Sequence, residues 1–373
     1  MTKCLQLQWI CDGDNMISSY LYNLLIYSIK SSASDIHLSA PLSPSIRING
    51  SLVRLNQVEP INNELMSEIL NSLLTEEQVS TFQKERELDF SFSLNSSENT
   101  NQRFRGNVSY ERGNIVLVLR IITPHIRTVH QLKLPNEILN IAQKSSGLFV
   151  VTGPTGSGKS TTLAALIQEI NTTRAAHIVT IEDPIEYIYN SERALIHQRE
   201  VGSDTKSFAE AIRRAMRQDP DVIMIGELRD LETISAAVTA AETGHLILCT
   251  LHTPDAPQSI DRIIDVFPPF QQQQIRIQLS SMLLGVLSQQ LIPLSGVSGR
   301  IVATEFLYAN NAVRNNIREG KTEQIRNILQ TGSMLGMHTM DQDIARIINE
   351  GLITKKLGLA YAHDPKNLER YIV

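Results

Sequence analysis

Residues 153–160 read GPTGSGKS, and their spacing fits G-x-x-x-x-G-K-[ST]. Gly153, Gly156 and Gly158 let the backbone bend so that N–H groups face inward on phosphate oxygens, with Pro154, Thr155 and Ser157 completing the loop. Lys159 is spaced to reach β- and γ-phosphates, Ser160 to ligate Mg²⁺, and Thr161 follows in the first helical turn, whose dipole favours anions. An apolar strand, FVVT (149–152), precedes the loop, and a helical pattern follows it. Residues 153–161 are therefore expected to bind a nucleoside triphosphate.

Three further clusters carry chemistry. VIMIGE (222–227) is an apolar strand ending in Glu227, where a carboxylate can polarise an attacking water. IEDPIEY (181–187) sets Glu182, Asp183 and Glu186 around a strand-stopping proline; it reads either as a group that orients water or Mg²⁺, or as a charged turn. TAAETGHLILCTLHT (239–253) places His245 and His252 at the two ends of an apolar strand. His252 at the tip can hydrogen-bond a γ-phosphate and report its loss. His245 can join it or satisfy a helix C-terminus after Gly244.

The surrounding elements divide the chain. Residues 16–33 show helical spacing, followed by the short strands DIHLSA and PSIRINGSLVRL, with a turn at Asn49-Gly50. Helical patterns cover 62–85, and DFSFSL and RFRGNVSYERGNIVLVLRII complete an α+β domain with a turn at Gly113-Asn114. The expected organisation is an extension over 1–15, an α+β domain over 16–123, a proline-bounded linker over 124–135 and an ATPase domain over 136–373. In the last, apolar strands alternating with helices predict a parallel sheet covered on both faces, and QQQQIRIQLSSMLLGVLSQQLI opens a mostly helical tail.

Composition narrows the class. Charged residues make up 20% of the 373, and the net charge of −5 gives no prior for nucleic acid or an anionic membrane. Three cysteines without a CxxC pair exclude a four-cysteine zinc site and suggest a cytoplasmic chain. No apolar run approaches the ~20 residues of a spanning helix, so membrane contact is expected only through a partner.

The phosphate loop, IVTIEDPIEY, DPDVIMIGELRD and the histidine-bearing strand, in that order, resemble the secretion ATPase superfamily, and within it the PilT-type pilus retraction ATPases. The resemblance runs from about residue 17, with SDIHLS (34–39) and the RFRGN strand included, to GMHTMDQDIARIINEG (336–351). It implies a PAS-like domain followed by a RecA-like α/β domain, a homohexamer hydrolysing ATP with Mg²⁺, and docking on the inner-membrane platform of a pilus machine. Carried over, Glu227 becomes the catalytic base, Glu186 a second catalytic or metal-orienting carboxylate, and Ser160, Glu182 and Glu186 the metal set. Arg105 and Arg120 become candidates to face the triphosphate across a subunit boundary; each alone also reads as a solvated strand residue. NAVRNNIREGK (311–321) resembles a segment tied to retraction, with Asn316 departing from the usual leucine. Pilus assembly or type II or type IV secretion ATPases remain rivals, and a nucleic-acid translocating ring is a more remote one.

Overall fold

The structure is a computed structural model describing residues 9–12, 15–48, 50–95, 101–122, 126–297 and 299–372. Residues 1–8 of the expected extension, Asn49 of the expected turn, loop residues 96–100 and Pro124 lie outside that set. The chain forms two units, 1–125 and 126–373.

In the first unit, β1 (Trp9–Asp12) pairs with β2 (Asn15–Ser18), which leads into helix α1 (Ser19–Lys30). Strands β3 (Asp35–Ser39), β4 (Ser45–Ile48), β5 (Ser51–Arg54), β6 (Glu87–Asn95), β7 (Asn101–Glu111) and β8 (Asn114–Ile121) make an antiparallel sheet in the order β5-β4-β3-β8-β7-β6. Period-two alternation buries Ile36, Leu38, Ile46, Phe104, Leu117 and Leu119. They pack with α1 and with α2 (Asn63–Leu73), while α3 (Glu76–Glu85) adds Phe82. The same alternation sends Asp35, Arg47, Arg105 and Arg120 to the other face.

The β7–β8 turn falls one residue earlier than expected. Glu111 pairs with Asn114, so Arg112 and Gly113 form the two-residue turn, with φ of 51° and 85°. Two successive positive φ values match the twist of the flanking strands, and this register keeps Leu117 and Leu119 inward.

The second unit is built on β9 (Gly147–Thr152), β10 (His177–Glu182), β11 (Leu195–Glu200), β12 (Val222–Ile225), β13 (Leu246–Thr250), β14 (Leu283–Pro293) and β15 (Arg300–Tyr308). Their order is β11-β10-β12-β13-β9-β14-β15; every neighbouring pair is parallel except β14 with β15. Helix α4 (Leu139–Ala142) precedes β9, and α5 (Lys159–Thr173), α6 (Phe208–Ala215), α7 (Leu231–Glu242), α8 (Ala256–Asp265) and α9 (Pro269–Met282) lie between strands. The tail comprises α10 (Asn311–Glu319), α11 (Ile325–Thr331), α12 (Met340–Asn349), α13 (Lys355–Tyr361) and α14 (Pro365–Leu368). Every residue of β9 is buried, as a central strand covered on both faces requires.

One sequence expectation fails here. Helix α9 stops at Met282, and LLGVLSQQLI is strand β14, which a continuous apolar run cannot distinguish from a buried helix. Gly285 marks the difference: a Cβ there would lie 2.5 Å from the Leu307 carbonyl, so the two strand backbones need glycine to approach. The division between the two units falls inside the expected linker, 124–135, and its later residues pack on the second unit. Val129 and Leu134 are buried in the second unit's core, and Thr128 and Gln131 bond reciprocally, side chain to backbone.

Arg314 on α10 ties the end of α9 down. Its guanidinium donates to the carbonyls of Ser280 (2.8 Å), Ser281 (2.5 Å), Leu283 (2.9 Å) and Ala309 (3.0 Å). The first two are helix-end carbonyls that have no partner within α9. Truncation to alanine removes all four bonds and leaves half-buried acceptors. We expect Arg314→Ala to lose about 2–3 kcal/mol of stability in chemical denaturation, with Arg314→Lys recovering only part, since an ammonium lacks the planar fork.

Candidate active site

Parallel pairing of β9, β10, β12 and β13 brings their C-terminal ends to one edge of the sheet, so the residues following Thr152, Glu182, Ile225 and Thr250 gather there. The phosphate loop follows β9. Gly153 has φ 135°, and a Cβ on it would lie 2.3 Å from the Gln289 carbonyl; Gly158 has φ 94° with the Gln289 amide 3.1 Å from its Cβ position. Both positions demand glycine. The Ser157 Oγ is buried and without a hydrogen-bond partner among the described residues. A bent backbone and an orphaned buried hydroxyl suit a cradle for phosphate oxygens.

Lys159 lies across this loop, its Nζ donating to the carbonyls of Gly153 (2.8 Å) and Pro154 (3.1 Å) and standing 3.5 Å from His252 Nδ1. Burial lowers its pKa, with Glu227 and Glu186 pulling the other way. His252 is the bridge, because its Nε2 is 3.2 Å from Glu227 Oε1. The other Glu227 oxygen accepts from Arg229 Nε at 2.8 Å. Glu227 sits two residues beyond β12, in a loop pinned by Gly226 N to Ile181 O (2.8 Å) and Leu228 N to Thr250 O (3.0 Å). Lys159, His252, Glu227 and Arg229 thus form one connected row. Arg229 was missed at the sequence level, although GELRD places it two residues from the glutamate.

His245 is not in this row. It precedes β13 at the far end of the strand, about 20 Å away at ~3.3 Å per residue. Its Nδ1 lies 2.9 Å from Ala240 O, so it closes the C-terminus of α7, the second of its two expected roles.

Glu182 also departs from expectation. It is buried, its Oε1 accepting from Thr180 Oγ1 (2.7 Å) and Gln198 Nε2 (3.3 Å), its Oε2 from Glu186 N (3.3 Å). Burial pushes its pKa up to about 7. Glu182 is thereby built into the fold rather than presented to a metal. Among the described residues, no group of three His, Cys, Asp or Glu could hold one. Ser160 is exposed at the start of α5, Glu186 is half-buried, and Thr161 Oγ1 meets Tyr187 OH at 2.9 Å.

In the first unit, Arg105 and Arg120 are directly opposite across β7 and β8, and Arg120 Nε is 3.0 Å from Asp35 Oδ1. The Arg120 side chain remains 65% exposed, so a second anion can reach it.

A second buried acid, Glu305 on β15, also has its pKa raised to about 7 by burial. Each raised value means that the folded state binds its proton more tightly than the unfolded chain does. The resulting stability is complete below the ordinary carboxylate range near pH 4.5 and is lost as pH rises through 7. Glu182→Gln and Glu305→Gln should each flatten the decline between pH 4.5 and 7.5, by on the order of 2–3 kcal/mol, in urea denaturation followed across that range.

Comparison with known proteins places these features in a wider set. A model of the family "Type II/IV secretion system protein" matches residues 11–357. The type IV pilus retraction ATPase PilT of Pseudomonas aeruginosa is 42% identical over 92% of this chain and 98% of that protein. A twitching motility protein of Neisseria gonorrhoeae is 44% identical over 87% of this chain and 86% of its own length. The crystal structure of the pilus retraction motor PilT with bound ADP superposes with a TM-score of 0.86 at 44% identity, covering 93% of this chain and 98% of that one.

Proposed function

The chain belongs to the type II/IV secretion system protein family, and from that premise we propose that it is a hexameric motor ATPase that drives type IV pilus disassembly and retraction. The observation that carries the reading is the row Lys159–His252–Glu227–Arg229 beside a glycine-built phosphate loop. ADP bound to the superposable retraction motor supports nucleotide as its ligand.

On this reading, residues 153–161 bind the triphosphate through backbone N–H groups. Lys159 exchanges the Gly153 and Pro154 carbonyls for β- and γ-phosphate oxygens. Glu227 takes a proton from water as the water oxygen bonds to the γ-phosphorus; the bond from that phosphorus to the bridging oxygen breaks, releasing ADP and phosphate. Ser160, with Glu186 orienting a water, would hold Mg²⁺, which would supply charge neutralisation at the phosphates. Arg229 and His252 hold the Glu227 carboxylate in one orientation, and His252 changes partner as the γ-phosphate arrives and leaves.

Arg105 and Arg120 of a neighbouring copy would offset the charge of the transferring phosphoryl group. No helix among the described residues is long and apolar enough to cross a membrane, so docking to an inner-membrane platform protein from the cytoplasmic side fits the chain.

Two measurements test this. Glu227→Gln should bind ATP within about twofold of wild type yet release phosphate at least ~100-fold more slowly; unchanged turnover rejects its role as base. Mixing Lys159→Ala with Arg105→Ala or Arg120→Ala subunits should restore part of the turnover that each lacks alone. Failure at every ratio rejects an arginine acting between copies.

A further inference from the structure

Strand β14 enters the phosphate site from the side opposite Glu227 and His252. Ser288 pairs with Thr152, the last residue of β9, which sets Gln289 beside the start of the loop. Gln289 is 1% exposed. Its Nε2 donates to the Ser157 carbonyl at 2.7 Å, and its Oε1 accepts from Thr162 Oγ1 at 2.9 Å. One amide therefore joins the crown of the loop to the first turn of α5. Its own carbonyl is the atom that excludes any side chain at position 153, and its amide crowds position 158. Gln289, on a strand more than 125 positions away, thus packs against two glycines whose positive φ already excludes other residues.

We infer that Gln289 is a positioning residue for nucleotide binding: it fixes the curvature of the phosphate loop so that the N–H groups of residues 156–160 converge on the phosphates. The inference rests on the nucleotide reading above and extends it to a residue outside the four nucleotide motifs. Glutamine suits the task because its single planar group carries both a donor and an acceptor, and the loop offers one of each. Leucine or methionine would fill the space and leave a buried carbonyl and a buried hydroxyl unpaired.

Gln289 is also tied outward. It pairs with Thr304 of β15, whose N and Oγ1 donate to Asp343 Oδ2 of α12 at 2.8 and 3.1 Å. The loop's shape is thereby connected through one strand pair to the helical tail.

Binding of ADP to the purified full chain, measured by titration calorimetry from pH 6 to 8, tests the assignment. Thr162→Val, which removes one bond, should weaken ADP severalfold; Gln289→Leu, which removes both, should weaken it about tenfold or more. Gln289→Glu has a signature that a merely structural role lacks. Its buried carboxyl accepts from Thr162 at any pH but donates to Ser157 only when protonated. The ratio of its ADP affinity to that of wild type should therefore rise as pH falls from 8 to 6, while the ratio for Gln289→Leu stays flat. Circular dichroism and melting confirm that each variant is folded. ADP affinities within twofold of wild type in all three folded variants would overturn the role of Gln289. Absence of ADP binding by the wild-type chain, with Lys159→Ala no different, would instead overturn the nucleotide reading itself.

Discussion

Parallel strand pairing is the constraint on which the site depends. A βαβ crossover returns each strand in the same direction, so four neighbouring strands must release their chains at the same edge. The apolar bodies of β9, β12 and β13 are buried throughout, which leaves the strand ends as the first positions where polar side chains can be solvated or paired. Lys159, Glu227 and His252 become neighbours for that reason, although 93 residues separate the first from the last. Glu227 acts on the charge of Lys159 from beyond His252, which contacts both.

Sequence legibility followed how local each requirement is. The phosphate loop could be read because its chemistry acts through the backbone, and backbone geometry restricts residue type within eight positions. Glu227 and His252 were legible as polar tips of apolar strands. Strand β14 was not, since a run buried on both faces has no period, and the helix before it masks the change. Gln289 was invisible for the same cause: its partners, a loop carbonyl and a hydroxyl of α5, come near only through the adjacency of β14 and β9. His245 could be narrowed to two roles, and the carbonyl of Ala240 decides between them. The segment 124–135 is bounded by prolines, as linkers often are, yet its Val129 and Leu134 are core residues.

Buried acids mark the cost of this design. Glu182 and Glu305 are more than nine-tenths buried and form no ion pair among the described residues. Each instead accepts hydrogen bonds that fix a turn: Glu182 holds the backbone of Glu186, and Glu305 holds the N-terminus of α8 at Ala256. Both sit where a loop from the site meets the sheet, so their carboxyls trade stability at neutral pH for loop geometry. The first unit treats its buried acid differently, pairing Asp35 with Arg120 and Arg47.

Force direction is the most consequential part of the retraction reading, and it is visible on whole cells. Surface fibres counted by electron microscopy should accumulate, with twitching lost, when the native gene is replaced by one encoding Lys159→Ala at wild-type protein level. Cells bare of fibres under that replacement would contradict retraction and assign the motor to assembly.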